Sequence, residues 1–453
     1  MSAPVTEKKS GFDIRDLKNL FGGGGSLKQF GILGALIVII IFFQIVTGGK
    51  TLQPGNIINL VQQYSYILIL AIGMVMVIIA GHIDLSVGSV AAFTGIIVAM
   101  AMRDFGIPWW AGVLLGLVIG ALIGAWQGFW VAYVGVPAFI VTLAGMLIWR
   151  GANQFIGDSA TVPVGQGFTV IGKGYLPEIG PNFGGYFSFN NLTILLGLLV
   201  VAVLIANEVR GRRTRKVMGA AADPLWISVL RVVILGVVVM VAAYLFATGR
   251  PGTSFPVSGI ILAVLVVAYS FLTNSTIIGR HIYAVGGNKH AAELSGVNSK
   301  AVNFFVMANM SVLASLAGMI FVARSQASGP QDGVGWELDA IAAVFIGGAA
   351  VAGGIGTVAG SIIGGLVMAV LSNGLALQGV GSDLVQVIKG LVLLIAVGID
   401  VYNKTQGRPS LIGLMGRRNK PDATSTRSDD NTSAAVTPGG GTPDTATPAD
   451  IQK

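Results

Sequence analysis

"YSYILILAIGMVMVIIAGHIDLSVGSVAAFTGIIVAM", residues 64–100, consists of two apolar runs joined by a short polar interruption. Each run covers most of the roughly 20 apolar residues that a helical bilayer crossing needs. The interruption, AGHIDLSVGS at 80–89, sets His82 and Asp84 among neighbours that are otherwise apolar. Gly81 and Gly88, with Ser86 and Ser89, mark a break between two helices rather than one continuous rod. Unwound backbone at membrane depth is tolerated only inside protein or beside a water-filled cavity. The stretch therefore predicts an all-α, polytopic membrane protein with an interrupted helix near its centre.

The rest of the chain agrees. Of 453 residues 53% are hydrophobic and only 11% charged, and the mean hydropathy is +0.78. Soluble domains carry about a quarter charged residues. The 65 glycines sit within runs too apolar for collagen or a linker, as expected where membrane helices approach closely. With no cysteine, disulfides, thiolate chemistry and cysteine metal sites are excluded. His82, His281 and His290 are too scattered for a metal cluster. The net charge of +8 falls in short clusters between apolar spans, so membrane topology accounts for it without a nucleic-acid partner.

Twelve candidate spans lie near 30–46, 57–80, 86–102, 109–133, 136–152, 191–207, 226–247, 257–273, 301–323, 337–352, 354–373 and 384–402. Several are short enough to be half-helices, so about 10–12 transmembrane helices are expected. The polar lead before Phe30 is long, holds Asp13 and Asp16, and has no small-x-small cleavage pattern, so the first span reads as a retained helix. Basic clusters stand at Lys8 to Lys28, Arg210 to Lys216, Arg280 to Lys300 and Lys404 to Lys420. Six, two and four spans separate them, so all four clusters and both termini fall in the cytoplasm. The division is then a cytoplasmic segment 1–28, a transmembrane domain 29–404 and a disordered tail 405–453. An external cap, 153–190, and a cytoplasmic loop, 274–300, interrupt the domain.

An internal echo links two of the breaks. GHIDLSVGSV at 81–90 aligns with GGIGTVAGSI at 353–362, with Gly81, Ile83, Gly88 and Ser89 recurring as Gly353, Ile355, Gly360 and Ser361. Paired interrupted helices in two halves of a membrane protein point to a transport pathway. Two readings of Asp84 stand. Either it caps the helix that begins near Leu85, or it faces a cavity and handles a polar solute, with His82, Ser86 and Ser89 beside it. Gly356, Gly360 and Gly364, one turn apart, mark close helix packing. Glu337 and Asp339 open a span and favour its N-terminus.

The segment GRHIYAVGGNKHAAELSGVNSK, 279–300, has a basic start, a Gly-Gly-Asn turn and a short helix-forming run, Lys289 to Ser295, closed by Gly296. It is longer and more structured than chain reversal requires, and it suits docking of a soluble partner. No G-x-x-x-x-G-K-[ST] phosphate loop occurs, so the chain does not hydrolyse ATP by that route.

GHIDLSVGS, GRHIYAVGGNKHAAELSGV and ELDAIAAVFIGGAAVAGGIGTVAGSIIGGLVMAVL (337–371), in that order, resemble the permease subunits of bacterial ABC importers for monosaccharides, the ribose/xylose/galactose branch. The resemblance covers most of 57–402, and 373–404 looks most like the xylose-type members. Family members usually have Gly-Gly-Ile-Asp-Leu-Ser where this chain has His82 in second position. The resemblance implies an inner-membrane subunit that dimerises and takes sugar from an extracytoplasmic binding protein. It also implies a coupling helix docked on an ATPase subunit, comprising Gly287, Asn288, Ala291, Ala292, Glu293, Leu294, Ser295 and Gly296. ATP and Mg would belong to that partner, with no cofactor or metal bound by this chain. The alternatives are a stand-alone secondary sugar transporter or facilitator, opposed by the scarcity of intramembrane carboxylates, and a membrane enzyme, opposed by the lack of a convergent His, Asp and Glu set.

Overall fold

The computed structural model describes residues 27–179, 189–219, 225–249 and 252–405, with side chains from 31 to 398 within those ranges. Residues 1–26 of the predicted N-terminal segment, 406–453 of the predicted tail and 180–188 of the predicted cap lie outside the described residues.

In chain order the elements are α1 Leu27–Val46, α2 Pro54–Ile79, α3 Val87–Phe105, α4 Trp109–Phe129 with a π-helical turn Trp130–Val134, and α5 Ala138–Ile156. The strand β1 Val162–Pro163 and α6 Gln166–Lys173 precede α7 Asn191–Val217, α8 Leu225–Ala247 and α9 Val257–Ser275. Then come α10 Ile277–Gly287, α11 Lys289–Leu294, α12 Ser299–Ser325, β2 Ala327–Ser328, α13 Trp336–Ile346, α14 Val358–Leu377 and α15 Ser382–Thr405. The protein is an all-α polytopic membrane protein. Among the described residues nine helices are long and apolar enough to cross a membrane, and Gly31–Val46 is a shorter apolar one.

Besides this shorter first helix, two further predicted spans fall outside the nine. The apolar run 337–352 does not stay helical: α13 stops at Ile346, after 11 residues. Gly348, Gly353 and Gly354 then adopt φ of +88°, +82° and +72°, a left-handed backbone that ends a helix. The run 384–402 falls within α15, which carries Asp383, Lys389 and Asp400 and is not one of the nine.

The core forms around α2, whose residues 67–79 are buried on every side. A helix that is apolar all round belongs inside a bundle. Against it runs α12, with Met310 and Leu313 filling the space that Gly73 leaves open. On the far side of α12, α4 presents Gly112, Gly116, Gly120, Gly124 and Gly128 at every fourth position, so one edge of the helix has no side chains. A methyl on Gly124 would stand 2.6 Å from the Ala308 carbonyl oxygen, and one on Gly120 would stand 2.8 Å from that of Ser311. Small-residue ridges of this kind bring backbones together where the hydrophobic effect does not drive helices to associate. Gly124→Leu is expected to destabilise the detergent-solubilised protein by about 2–3 kcal/mol, the upper range for overpacking. Thermal melts against Leu122→Ala, on the exposed face, would check it.

Beyond α5, the described part of the predicted cap is held at several points. β1 pairs antiparallel with β2, Val162 opposite Ser328. The N–H of Leu176 donates to Phe255 O at 3.1 Å and that of Val257 to Gly174 O at 2.9 Å. Asp332 accepts the Gly329 N–H at 2.8 Å, and burial raises its carboxyl above the usual range. Rows of exposed apolar side chains on α1 (Val38, Ile45), α4 (Leu114, Leu122), α5 (Phe139, Leu147) and the α7–α8 hairpin give the lipid-facing surface.

Candidate functional site

The two breaks predicted from the internal echo touch one another. Gly81 and Gly353 are both left-handed, at φ +86° and +82°. A methyl on Gly353 would stand 3.2 Å from Gly81 Cα, and the N–H of Gly354 donates to Ile79 O at 2.8 Å. The third member of the junction is the end of α10. Gly286 packs its bare Cα face against the Ile79 carbonyl, with the Gly354 nitrogen 2.9 Å from where a Cβ would be. The Tyr283 hydroxyl donates to Gly356 O at 2.7 Å and fastens the same pair. Backbone from three distant parts of the chain thus meets without intervening side chains.

Immediately beyond this contact, α10 gives way to α11. Gly286 and Gly287 complete the last turn of α10 rather than forming a separate turn, and the chain changes direction at Asn288, which is extended. The Asn288 side chain caps α11 by accepting the Ala291 N–H at 3.0 Å. Gly296, at φ +86°, closes it. Ala292 is buried, Glu293 accepts from the Ser299 hydroxyl at the start of α12, and Ser295 bonds back to Ala291 O at 2.9 Å. Leu294 points away from all of this and is 91% exposed.

Asp84 does not cap the helix that follows it. α3 begins at Val87, and Ser86 is its N-cap, without a side-chain capping bond. Asp84 Oδ1 instead accepts the Ser86 N–H at 2.8 Å and the Ser86 hydroxyl at 2.6 Å. That pattern is an Asx turn holding the last residues of the break, not a cap on the first free N–H groups of the helix. Gln127 Nε2 of α4 donates to Ser86 Oγ at 2.8 Å, and Gly145 of α5 leaves room for that amide. The Thr142 hydroxyl donates to Ile83 O at 3.3 Å. Asp84 is fully buried, and its Oδ2 has no hydrogen-bond partner in the structure. Ser89 is buried too, and its hydroxyl is likewise unpartnered.

His82 stands apart from these three. It lines a separate cavity of about 380 Å³ with Asn303, Lys289 and the Gly135–Phe139 turn. Of the three packing glycines, Gly360 and Gly364 lie on α14 and abut the carbonyls of Gly347 and Ala343. Gly356 does not share that face, because α14 starts only at Val358. It lies in the second break, where a Cβ would stand 3.0 Å from Ile79 Cγ1.

Glu337 and Asp339, at the start of α13, do more than favour a helix end. Tyr66, Phe321 and Trp336 pack ring to ring at 4.4–5.1 Å and fasten that start to α2 and α12. Glu337 is buried, with Oε1 3.9 Å from Arg150 Nη2 on α5. Asp339, two residues further around the helix, takes Lys389 of α15, whose Nζ is 3.0 Å from both carboxylate oxygens. Arg150 and Lys389 were missed in the sequence, although a cation within or beside an apolar span is itself a signal. Trp149 packs on Phe93 at 5.0 Å and Trp126 at 6.0 Å, so its ring is occupied by protein.

Long apolar helices and two glycine breaks in contact with each other and with the end of α10 are the frame of this site, and the comparison with known families assigns the chain to a permease component, a transporter subunit rather than a catalytic enzyme. Residues 56–397 match the family model described as the branched-chain amino acid transport system / permease component, and the chain belongs to that permease family. It is similar to the xylose transport system permease protein of Haemophilus influenzae, 40% identical over 380 residues, covering 84% of this chain and 97% of the relative. The corresponding Escherichia coli K12 protein is 38% identical over 380 residues, covering 84% and 93%. The ribose import permease protein of E. coli K12 is 34% identical over 378 residues, covering 82% and 94%. No solved structure matches.

Proposed function

We propose that this chain is the membrane-spanning subunit of an ATP-binding-cassette importer for a monosaccharide, xylose or a related pentose or hexose. It works as a homodimer in the bacterial inner membrane, with both termini in the cytoplasm. An extracytoplasmic binding protein delivers sugar at the α6 end, and a separate ATPase subunit, holding ATP and Mg, docks at α11. The observation that carries this reading is the junction of Gly286 with both breaks. A rigid, exposed α11 is thereby attached, over one helix turn of α10, to the two segments least held by helical hydrogen bonds. Movement of α11 with the ATPase would shift Ile79 and Gly354 together and bias the bundle between outward- and inward-open states. The sugar class rests on the similarity to xylose and ribose permeases.

The test uses Leu294→Asp, because the side chain packs on nothing that the fold needs. In proteoliposomes with the ATPase and binding protein, uptake is expected to fall by at least about tenfold with normal membrane insertion. Unchanged uptake would remove α11 as the docking element. The alternative, a stand-alone transporter or facilitator, predicts gradient-driven sugar uptake by proteoliposomes holding this chain alone, a result that would end the ABC reading.

A further inference from the structure

The α13–α15 side of the bundle holds a cavity of about 480 Å³, walled by α2, α13, α14 and α15. That volume lies in the usual range for small-molecule sites, about 300–1,000 Å³. Six polar side chains line it: Tyr64, Ser372, Asp339, Ser382, Gln386 and Lys389. The last three project from α15 at positions i, i+4 and i+7, so one face of that helix supplies half of them. Leu338 and Met368 give the wall an apolar portion. We propose that this cavity is a binding site for a neutral polyhydroxylated solute of monosaccharide size, with the Asp339–Lys389 pair as its central hydrogen-bonding contact. The proposal rests on the sugar-importer reading and names where in this chain the sugar is held.

The charge state points to the ligand class. Lys389 Nζ already stands 3.0 Å from each Asp339 oxygen, so the pair is neutral as a unit and gives an ionic solute no net attraction. What it retains is hydrogen-bonding capacity. An ammonium has three N–H donors, and a carboxylate has about four acceptor sites. Adjacent sugar hydroxyls both donate and accept, and the Gln386 amide, the Ser382 hydroxyl and the Tyr64 hydroxyl extend the same pattern. A purely structural role fits less well. Ion pairs removed from water contribute little net stability, and ionisable groups among membrane helices are costly. The pair is also not sealed, since the Asp339 and Lys389 side chains remain 24% and 20% exposed.

Because the chain has no cysteine, an introduced thiol is the only one this subunit carries, and the parent importer treated with the same reagent controls for thiols of its partners. The test takes the complete importer, with ATPase and binding protein, carrying Gln386→Cys. A bulky thiol reagent is expected to cut uptake at least about tenfold while ATP hydrolysis persists. Transported sugar during turnover is expected to slow the modification at least about fivefold, and a disaccharide is expected not to. Modification without effect on uptake, or at a rate indifferent to sugar, would overturn the proposal. A second variant, the exchange Asp339→Lys with Lys389→Asp, restores an ion pair but inverts which helix donates. Sugar contact predicts a KM raised about tenfold with an altered preference among pentoses; return of the parent KM would make the pair structural only. If the parent importer transports sugar and the Gln386→Cys variant is insensitive to the reagent, this site alone is rejected. If the parent takes up no monosaccharide with ATP, the importer reading falls and takes this site with it.

Discussion

Gly286→Ala is expected to abolish ATP-driven uptake and to lower the yield of folded protein, whereas Gly287→Ala is expected to leave both near the parent value. A methyl on Gly286 would overlap the Ile79 carbonyl oxygen and stand 2.7 Å from the carbonyl carbon. It would also stand 2.9 Å from the Gly354 nitrogen. All three atoms are backbone, so no flexible side chain swings aside to make room. Displacing Ile79 would also cost the hydrogen bond its carbonyl accepts from Gly354 at 2.8 Å, leaving that acceptor and donor unpaired between the two breaks. Overpacking a close backbone contact costs about 1–3 kcal/mol or more, and here the strain falls where α10 meets both breaks. At Gly287 nothing lies within 4 Å of the added methyl, and the residue is helical, where alanine is favoured. Expression, a thermal melt and uptake measured on the two variants side by side would decide it. Equal behaviour of the pair would mean that the junction is not as tight as the structure makes it.

The membrane class, the helical character and the position of both breaks were legible in the sequence because each is a one-dimensional signal. Apolar length, charge clusters and glycine-rich interruptions need no partner to be seen. The repeat of Gly81, Ile83, Gly88 and Ser89 marked both breaks, yet neither their contact nor the part of α10 was legible. Gly286 reads as half of a turn until the chain is folded and its Cα is found against Ile79. Gln127 was hidden for a similar reason, since a lone glutamine in an apolar span does not announce that it bonds Ser86 from another helix. The ladder Gly112 to Gly128 could have been read from its four-residue spacing alone. Apolar run length also misjudged 337–352, because hydropathy does not report where glycines take a left-handed backbone.

The carboxylate at position 84 separates architecture from solute handling most directly. Asp84→Asn is expected to keep fold and transport, and Asp84→Ala is expected to lose both. In the structure the work of Asp84 falls on one oxygen: Oδ1 accepts from the Ser86 N–H at 2.8 Å and the Ser86 hydroxyl at 2.6 Å. An asparagine oxygen accepts both bonds in the same geometry, and its NH2 takes the place of Oδ2, which has no partner to lose. The chain of bonds from Gln127 through Ser86 to residue 84 then survives the loss of charge. Alanine removes the acceptor altogether. The Ser86 N–H, in a fully buried position ahead of α3, is left unsatisfied at about 1–3 kcal/mol, and the hydroxyl loses its stronger acceptor for about 1 kcal/mol more. Without the Asx turn the start of α3 rests on the Gln127–Ser86 and Thr142–Ile83 bonds from other helices, and the Gly81 corner that meets Gly353 loosens. Uptake and a thermal melt distinguish the outcomes. An Asp84→Asn protein that melts like the parent but does not transport would show that the charge itself handles the solute.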